Sequence, residues 1–118
     1  MAETNFDGLN SKTTETIWSD TDGKLILERI GRIRILSAYY ALYGSVKNKI
    51  LASADRPSIP QRGVIVRNVI GQYATLGYID VQTTGAMSCA KYDNYNSGTA
   101  QSYLGDGDRF EGQVMWIV

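Results

Sequence analysis

Apolar residues in this chain come in short runs that mostly alternate with polar positions, and turn-forming residues separate the runs. Alternation argues strands, because successive strand side chains point to opposite faces. Thr14-Glu15-Thr16-Ile17-Trp18 is the first strand candidate, Asp20-Thr21-Asp22-Gly23 is a turn, and Lys24–Glu28 follows as a second strand. In the segment from Gly31 to Gly44, Arg32-Ile33-Arg34-Ile35 alternates and predicts a strand with Ile inward and Arg outward. Leu36, Ala38, Tyr40 and Leu42 then carry the apolar positions, so the parity flips near Leu36-Ser37, as a β-bulge would produce. A helix with Ile26, Ile30, Ile33 and Ser37 on one face is the rival for residues 24–44. Gly31 in its middle and the β-branched content count against it.

Further along, Lys47-Asn48-Lys49 reads as a solvated connection and Ser53 to Ser58 as a loop. Gly63–Val69 is a strand with Val64 and Val66 on one face, and Ile70-Gly71-Gln72 is a tight turn. Tyr73–Val81 is the longest strand, with Ile79 and Val81 on one face and Leu76 and Tyr78 on the other. Thr83-Thr84-Gly85 turns it back into Ala86–Ala90, where Met87 and Cys89 alternate with Ser88, and Gln113–Val118 closes the pattern. Short strands separated by frequent turns predict an all-β fold, an antiparallel β-sandwich of jelly-roll-like form. Residues 1–12 are polar without period and read as a leader or linker stub, leaving 13–118 as the sandwich domain.

Composition narrows the chemistry. Twelve basic residues balance twelve acidic ones, which offers no electrostatic case for nucleic acid or an anionic membrane. No apolar run approaches the roughly 20 residues of a membrane-spanning helix, and the polar start lacks the features of a signal peptide. There is no histidine, which removes the usual general base and the commonest metal ligand. The single cysteine, Cys89, excludes an internal disulfide and reads as a small buried side chain. Trp18 and Trp116 read as core or interface residues; Tyr39, Tyr40 and Tyr43 form a second aromatic cluster, in which Tyr39 and Tyr40 point to opposite faces of a strand, one toward the core and the other toward an interface or site. Arg32 and Arg34 share a face that is solvated, or that meets a neighbouring protomer or an anionic sugar.

The polar stretch from Tyr92 to Gly112 has the composition of a contact surface: rigid tyrosine rings among Asn, Asp, Ser and Gly. Such a length without structure is unusual, so Thr99–Leu104 is expected to form a short strand between loops Asp93–Gly98 and Gly105–Gly112. Tyr92, Asp93, Asn94, Tyr95, Asn96 and Tyr103 are the candidate site: sugar C–H faces stack on rings, and hydroxyls pair with Asp and Asn. The competing reading is a pair of ordinary hairpin loops, since the same residues dominate turns. Gly105-Asp106-Gly107-Asp108 invites a calcium reading, but the EF-hand spacing is missing and a turn explains it. Asp93, Asp106, Asp108 and Glu111 are acids in turns without a defined catalytic pairing. No cofactor, metal or catalytic residue is assigned.

One order of motifs is familiar: an apolar Ile50-Leu51, then Arg56-Pro57-Ser58, a strand, Gly77-Tyr78-Ile79-Asp80-Val81-Gln82-Thr83-Thr84-Gly85, a short strand, a polar loop and Gly112 to Val118. Over residues 24–118 this resembles the C-terminal β-sandwich head domains of bacteriophage tail fibres and baseplate receptor-binding proteins. It departs where the usual Leu-Pro is Leu51-Ala52. The resemblance implies a homotrimer at a fibre tip in the virion tail, joined to upstream fibre or baseplate segments. It also implies a non-enzymatic function, binding a saccharide or other receptor on the bacterial surface for host attachment. The alternative is a module that trimerises or caps a fibre without touching a receptor. A glycan-cleaving domain is disfavoured by the absence of histidine and of a defined acid pair.

Overall fold

The computed structural model describes residues 11–68, 75–94 and 100–118. Within them the fold is all-β. The strands are β1 (Lys12–Ser19), β2 (Lys24–Ile30), β3 (Ile33–Leu42), β4 (Gln61–Asn68), β5 (Thr75–Val81), β6 (Met87–Asn94), β7 (Ala100–Tyr103) and β8 (Arg109–Ile117). A four-residue helical turn, α1 (Tyr43–Val46), follows β3, and Ser53–Asp55 makes a single 3-10 turn. The eight strands form one hydrogen-bonded sheet in the order β1-β2-β3-β8-β4-β5-β6-β7, and every neighbouring pair is antiparallel.

Local chemistry sets the turns. The Asp20 carboxylate accepts the backbone N–H groups of Asp22 and Gly23 at 2.9 and 2.7 Å, closing the β1–β2 hairpin as an Asx turn. Gly31, between β2 and β3, sits at φ 57°, a left-handed conformation that glycine adopts without steric cost. Residues 24–44 are therefore strands, as the alternation favoured, with α1 beginning only at Tyr43. The parity change occurs later than expected. The β3–β8 register shifts between Ala38 and Ala41, where Tyr40 has φ 51°, rather than near Leu36-Ser37.

One face of the sheet is the core. Leu25 and Leu27 of β2, Leu36 and Ala38 of β3, and Phe110, Val114 and Trp116 of β8 are buried in one cluster with Ile65, Ile79, Val81, Met87, Cys89 and Leu104 from the other half of the sheet. Tyr43, Val46 and Leu51 complete it, and Ile17 and Trp18 pack against its margin. Ile79 and Val81 face inward and Leu76 outward, in agreement with the alternation of β5. The predicted shared face of Val64 and Val66 is the outer one; Ile65 is the core residue of β4.

Arg34 departs from expectation. It is buried, 8% exposed, while Ile33 and Ile35 face outward, so the alternation was right and its facing was reversed. The reason lies in Asp55, which is 2% exposed in the loop after α1. The Arg34 Nε donates to Asp55 Oδ1 at 2.7 Å, and Arg29 of β2 adds two bonds to the same carboxylate at 2.8 Å. Glu15 of β1 engages Arg29 from the other side at 2.6 Å, and the Trp116 indole N–H donates to the Asp55 carbonyl at 2.8 Å. Buried charge is tolerated only when paired in this way. The Arg29 guanidinium, helped by Arg34, holds the Asp55 carboxyl below the usual carboxylate range against the opposing effect of burial.

β8 joins the two halves of the sheet. It pairs with β3 from Arg109 to Ile117 but with β4 only from Arg109 to Gly112. Beyond Gly112 the hydrogen-bonded pairing ends, while Gly63 stays packed against Gln113 and Val114. A Cβ on Gly63 of β4 would stand 2.3 Å from the Gln113 carbonyl oxygen, so only glycine allows the crossing there.

Candidate functional site

The described members of the sequence-predicted set, Tyr92, Asp93, Asn94 and Tyr103, lie on the two strands of the β6–β7 edge. The predicted strand between the two loops exists as β7, which ends at Tyr103, one residue before Leu104; Thr99 lies outside the described residues. Tyr103 ends it and is 72% exposed. Tyr92, Asp93 and Asn94 end β6, where Tyr92 pairs with Gln101 and Asn94 with Ala100, and the register shift between those pairs falls at Asp93. Tyr95, Asn96 and the Ile70–Gln72 turn lie outside the described residues, as do residues 1–10 of the polar leader.

The second predicted loop is shorter than expected. Residues 105–108 form the turn, and β8 starts at Arg109. Both acids of the turn are engaged by cations. Asp108 Oδ2 accepts the Gly105 N–H at 2.7 Å and lies 3.0 Å from Arg67 Nε, while Asp106 pairs with Lys47 at 2.5 Å. Burial pushes the Asp108 carboxyl upward, but Arg67 and the Gly105 N–H outweigh it and leave it lowered. Backbone bonds from Tyr43 to Asp108 and from Gly44 to Asp106 tie the turn to α1. Those contacts account for both aspartates structurally.

Register across the sheet places Tyr103 in a row the sequence did not reveal. Val64 of β4 faces Tyr78 of β5, Tyr78 faces Ala90 of β6, and Ala90 faces Tyr103 of β7. Directly opposed residues share a face, so this row runs along the side of the sheet away from the core, with Val64 and Tyr103 exposed at its ends and Tyr78 and Ala90 buried between them, 9% and 3% exposed. The adjacent row reads Arg62, Asp80 and Ser88, and on the other side Val66 faces Leu76. Val64 is 70% and Leu76 61% exposed. The Arg62 guanidinium makes a two-pronged contact with Asp80 at 2.7 and 3.0 Å and lies 3.7 Å from the centre of the Tyr78 ring. A guanidinium stacked on an aromatic face and forked to a carboxylate is held in orientation from two directions. The result is a face with Val64, Leu76 and Tyr103 exposed and Tyr78 covered by Arg62, bordered by one fixed cation, one carboxylate and a serine.

Tyr39 and Tyr40, the other tyrosines singled out, belong elsewhere. Tyr39 is exposed with Lys24 5.4 Å from its ring, Tyr40 is half-buried with Arg109 5.0 Å from its ring, and the third tyrosine of that cluster, Tyr43, is the core residue. Arg109 also bonds Asp20 at 2.6 Å and draws that carboxyl down to about 2. Cys89 is fully buried, and burial pushes its thiol far up, so it behaves as a small apolar side chain. Arg62, Val64 and Asp80 were missed because their meeting depends on β4–β5 register; the outward parity of Leu76 and Tyr78 was the available signal. Among the described residues no helix is long and apolar enough to cross a membrane, and no cluster of three or more metal-ligating side chains occurs. No protein-family model, curated protein or solved structure matches this chain.

Proposed function

We propose that this domain is a non-enzymatic recognition head that binds a bacterial surface saccharide for host attachment, of the kind found at the tips of phage tail fibres and baseplates. In this reading the sheet closes on its core as a jelly-roll-like sandwich and three copies assemble in the virion tail. The observation that carries the binding role is the face on which Val64, Leu76 and Tyr103 are exposed beside Arg62 and Asp80. Exposed apolar side chains gathered on one face and bordered by charge mark interaction surfaces. Sugar rings offer C–H faces to tyrosine and hydroxyls to a carboxylate or guanidinium. Tyr92, Asp93, Asn94, Tyr95 and Asn96 extend the same sheet edge in sequence and remain part of the proposed site. The non-enzymatic reading is supported by ion-paired carboxylates at Asp55, Asp80, Asp106 and Asp108, where glycoside cleavage needs one acid held protonated.

The test is binding of the domain to purified cell-wall polysaccharides and to host cells, beside a Tyr103→Ala variant. Truncating an exposed aromatic anchor is expected to weaken binding by roughly thirtyfold, as for other interface hot spots. Equal binding by both proteins removes Tyr103 from the site. No binding by the wild type refutes the recognition role. The second reading, a trimerising or capping module without receptor contact, is favoured by a different surface: the exposed Met115 and Ile117 on β8.

A further inference from the structure

The two ends of β1 are held in different ways. At its C-terminal end the Asp20–Gly23 turn is locked to the sheet. Arg109 of β8 donates to Asp20 Oδ2 at 2.6 Å and to the Tyr40 carbonyl at 2.9 Å. Gly23 packs so closely against β3 that a Cβ on it would stand 2.0 Å from the Tyr40 carbonyl oxygen. Ile17 and Trp18, both half-buried, pack on the margin of the core. From Lys12 to Thr16, by contrast, every residue is exposed, so this segment adds little apolar burial. Among the described residues only β2 pairs with it. Two ion pairs join it to β2, Lys12 to Glu28 at 2.8 Å and Glu15 to Arg29 at 2.6 Å. The Lys12 and Glu15 side chains are 53% and 51% exposed, so water screens both pairs. The β1–β2 register shifts between Thr16 and Trp18, which leaves Ile17 as the extra residue of a bulge. The ladder is therefore interrupted where the exposed segment meets the packed one.

We infer that Lys12–Thr16 is a hinged strap that leaves and rejoins the β2 edge while the rest of the sheet stays folded, with the bulge at Ile17 as its hinge. Segments that open locally have few buried apolar contacts and backbone hydrogen bonds near solvent. Release of the strap breaks its backbone bonds to Ile26–Ile30 and the two screened ion pairs, and the freed backbone regains conformational entropy. It takes no residue from the core, because none of Lys12–Thr16 belongs to the buried cluster. Nor does it strand the buried carboxylate: when Glu15 departs, Arg29 keeps both of its bonds to Asp55. The locked turn and the packed Ile17-Trp18 pair stop the opening from spreading toward β3. Release bares the backbone N–H and C=O groups of β2 between Ile26 and Ile30, which turns a covered strand into a sheet edge. The device is thus a choice between a covered and an open β2 edge over an unchanged core, and it does not depend on saccharide binding.

Amide hydrogen exchange of the whole chain, followed residue by residue by NMR with and without about 1 M urea, tests it. The hydrogen-bonded amides of Lys12–Thr16 are expected to exchange as one group, at least about a hundredfold faster than those of β3 and β8. Amides of β2 that bond to β1 between Ile26 and Ile30 should join that group, while those that bond to β3 stay slow. Urea should hardly change the rates of the group, because its opening exposes little surface, but should speed the β8 amides about tenfold or more. Strap amides as slow as those of β8, or as sensitive to urea, would show that β1 opens only with the whole domain and overturn the strap. Exchange of Trp18 and Ser19 at the rate of Thr14 would overturn the hinge at Ile17. Fast exchange of the β2 amides that bond to β3 would show the whole β1–β2 hairpin moving, and would overturn the inference as well.

Discussion

Two arginine–aspartate contacts in this domain have the same closest distance and opposite settings. Arg34 meets Asp55 at 2.7 Å with side chains 10% and 3% exposed; Arg62 meets Asp80 at 2.7 Å with side chains 53% and 19% exposed. The inner pair lies in a network with Arg29, Glu15 and Trp116 that ties β1, β2, β3 and β8 to the loop after α1. The outer pair braces a tyrosine on a face turned to solvent. Distance alone therefore says little about energy: desolvation makes the inner network costly to break, and water screens the outer one.

Asp55→Asn should cause the largest loss, about 3–5 kcal/mol of unfolding free energy in urea, because it leaves the buried Arg34 and the half-buried Arg29 guanidinium groups short of their counter-charge. A loss below about 1 kcal/mol would place Asp55 among ordinary surface pairs. Trp116→Phe replaces the buried indole with a smaller ring and removes the N–H that serves the Asp55 carbonyl, and should cost about 1–3 kcal/mol. Acid should act through the same aspartate. Its carboxyl lies below the unfolded value of about 3.9, so its contribution is complete above that pH and fades as pH falls through the folded value. Thermal midpoints should hold from neutrality to about pH 5 and drop below about pH 4, less steeply in Asp55→Asn. The smallest effect belongs to Asp80→Asn, at about 0–1 kcal/mol and shrinking further in high salt. If that variant proved as damaging as Asp55→Asn, the contrast between the two faces would fail.

The same contrast shows what could be read beforehand. Strand periods, the Asp20–Gly23 turn, the outward parity of Leu76 and the short strand β7 are local properties, and local chemistry announced them. The facing of Arg34 is not local. Arg32-Ile33-Arg34-Ile35 has one period and two possible orientations, and an aspartate 21 residues away decides between them. The late parity change at Tyr40 likewise depends on pairing with β8, some seventy positions on. In the candidate site, Tyr103 could be chosen from composition because exposed tyrosine among turn residues is a local signal. The Arg62–Tyr78–Asp80 assembly could not, since it exists only once β4 and β5 have found their register.

The strand order has a consequence for how the molecule comes into being. β8 lies between β3 and β4, yet it is synthesised after the other seven strands. Until it emerges, β1–β3 and β4–β7 have no strand in common, and each half displays one side of an unfinished core. The hairpins can form as the chain grows, but closure needs contacts spanning most of the sequence. That connectivity puts folding in the slow range of two-state domains, about milliseconds to seconds. The unfinished halves, with bare strand edges facing one another across a missing centre, are the species most exposed to mispairing between nascent chains.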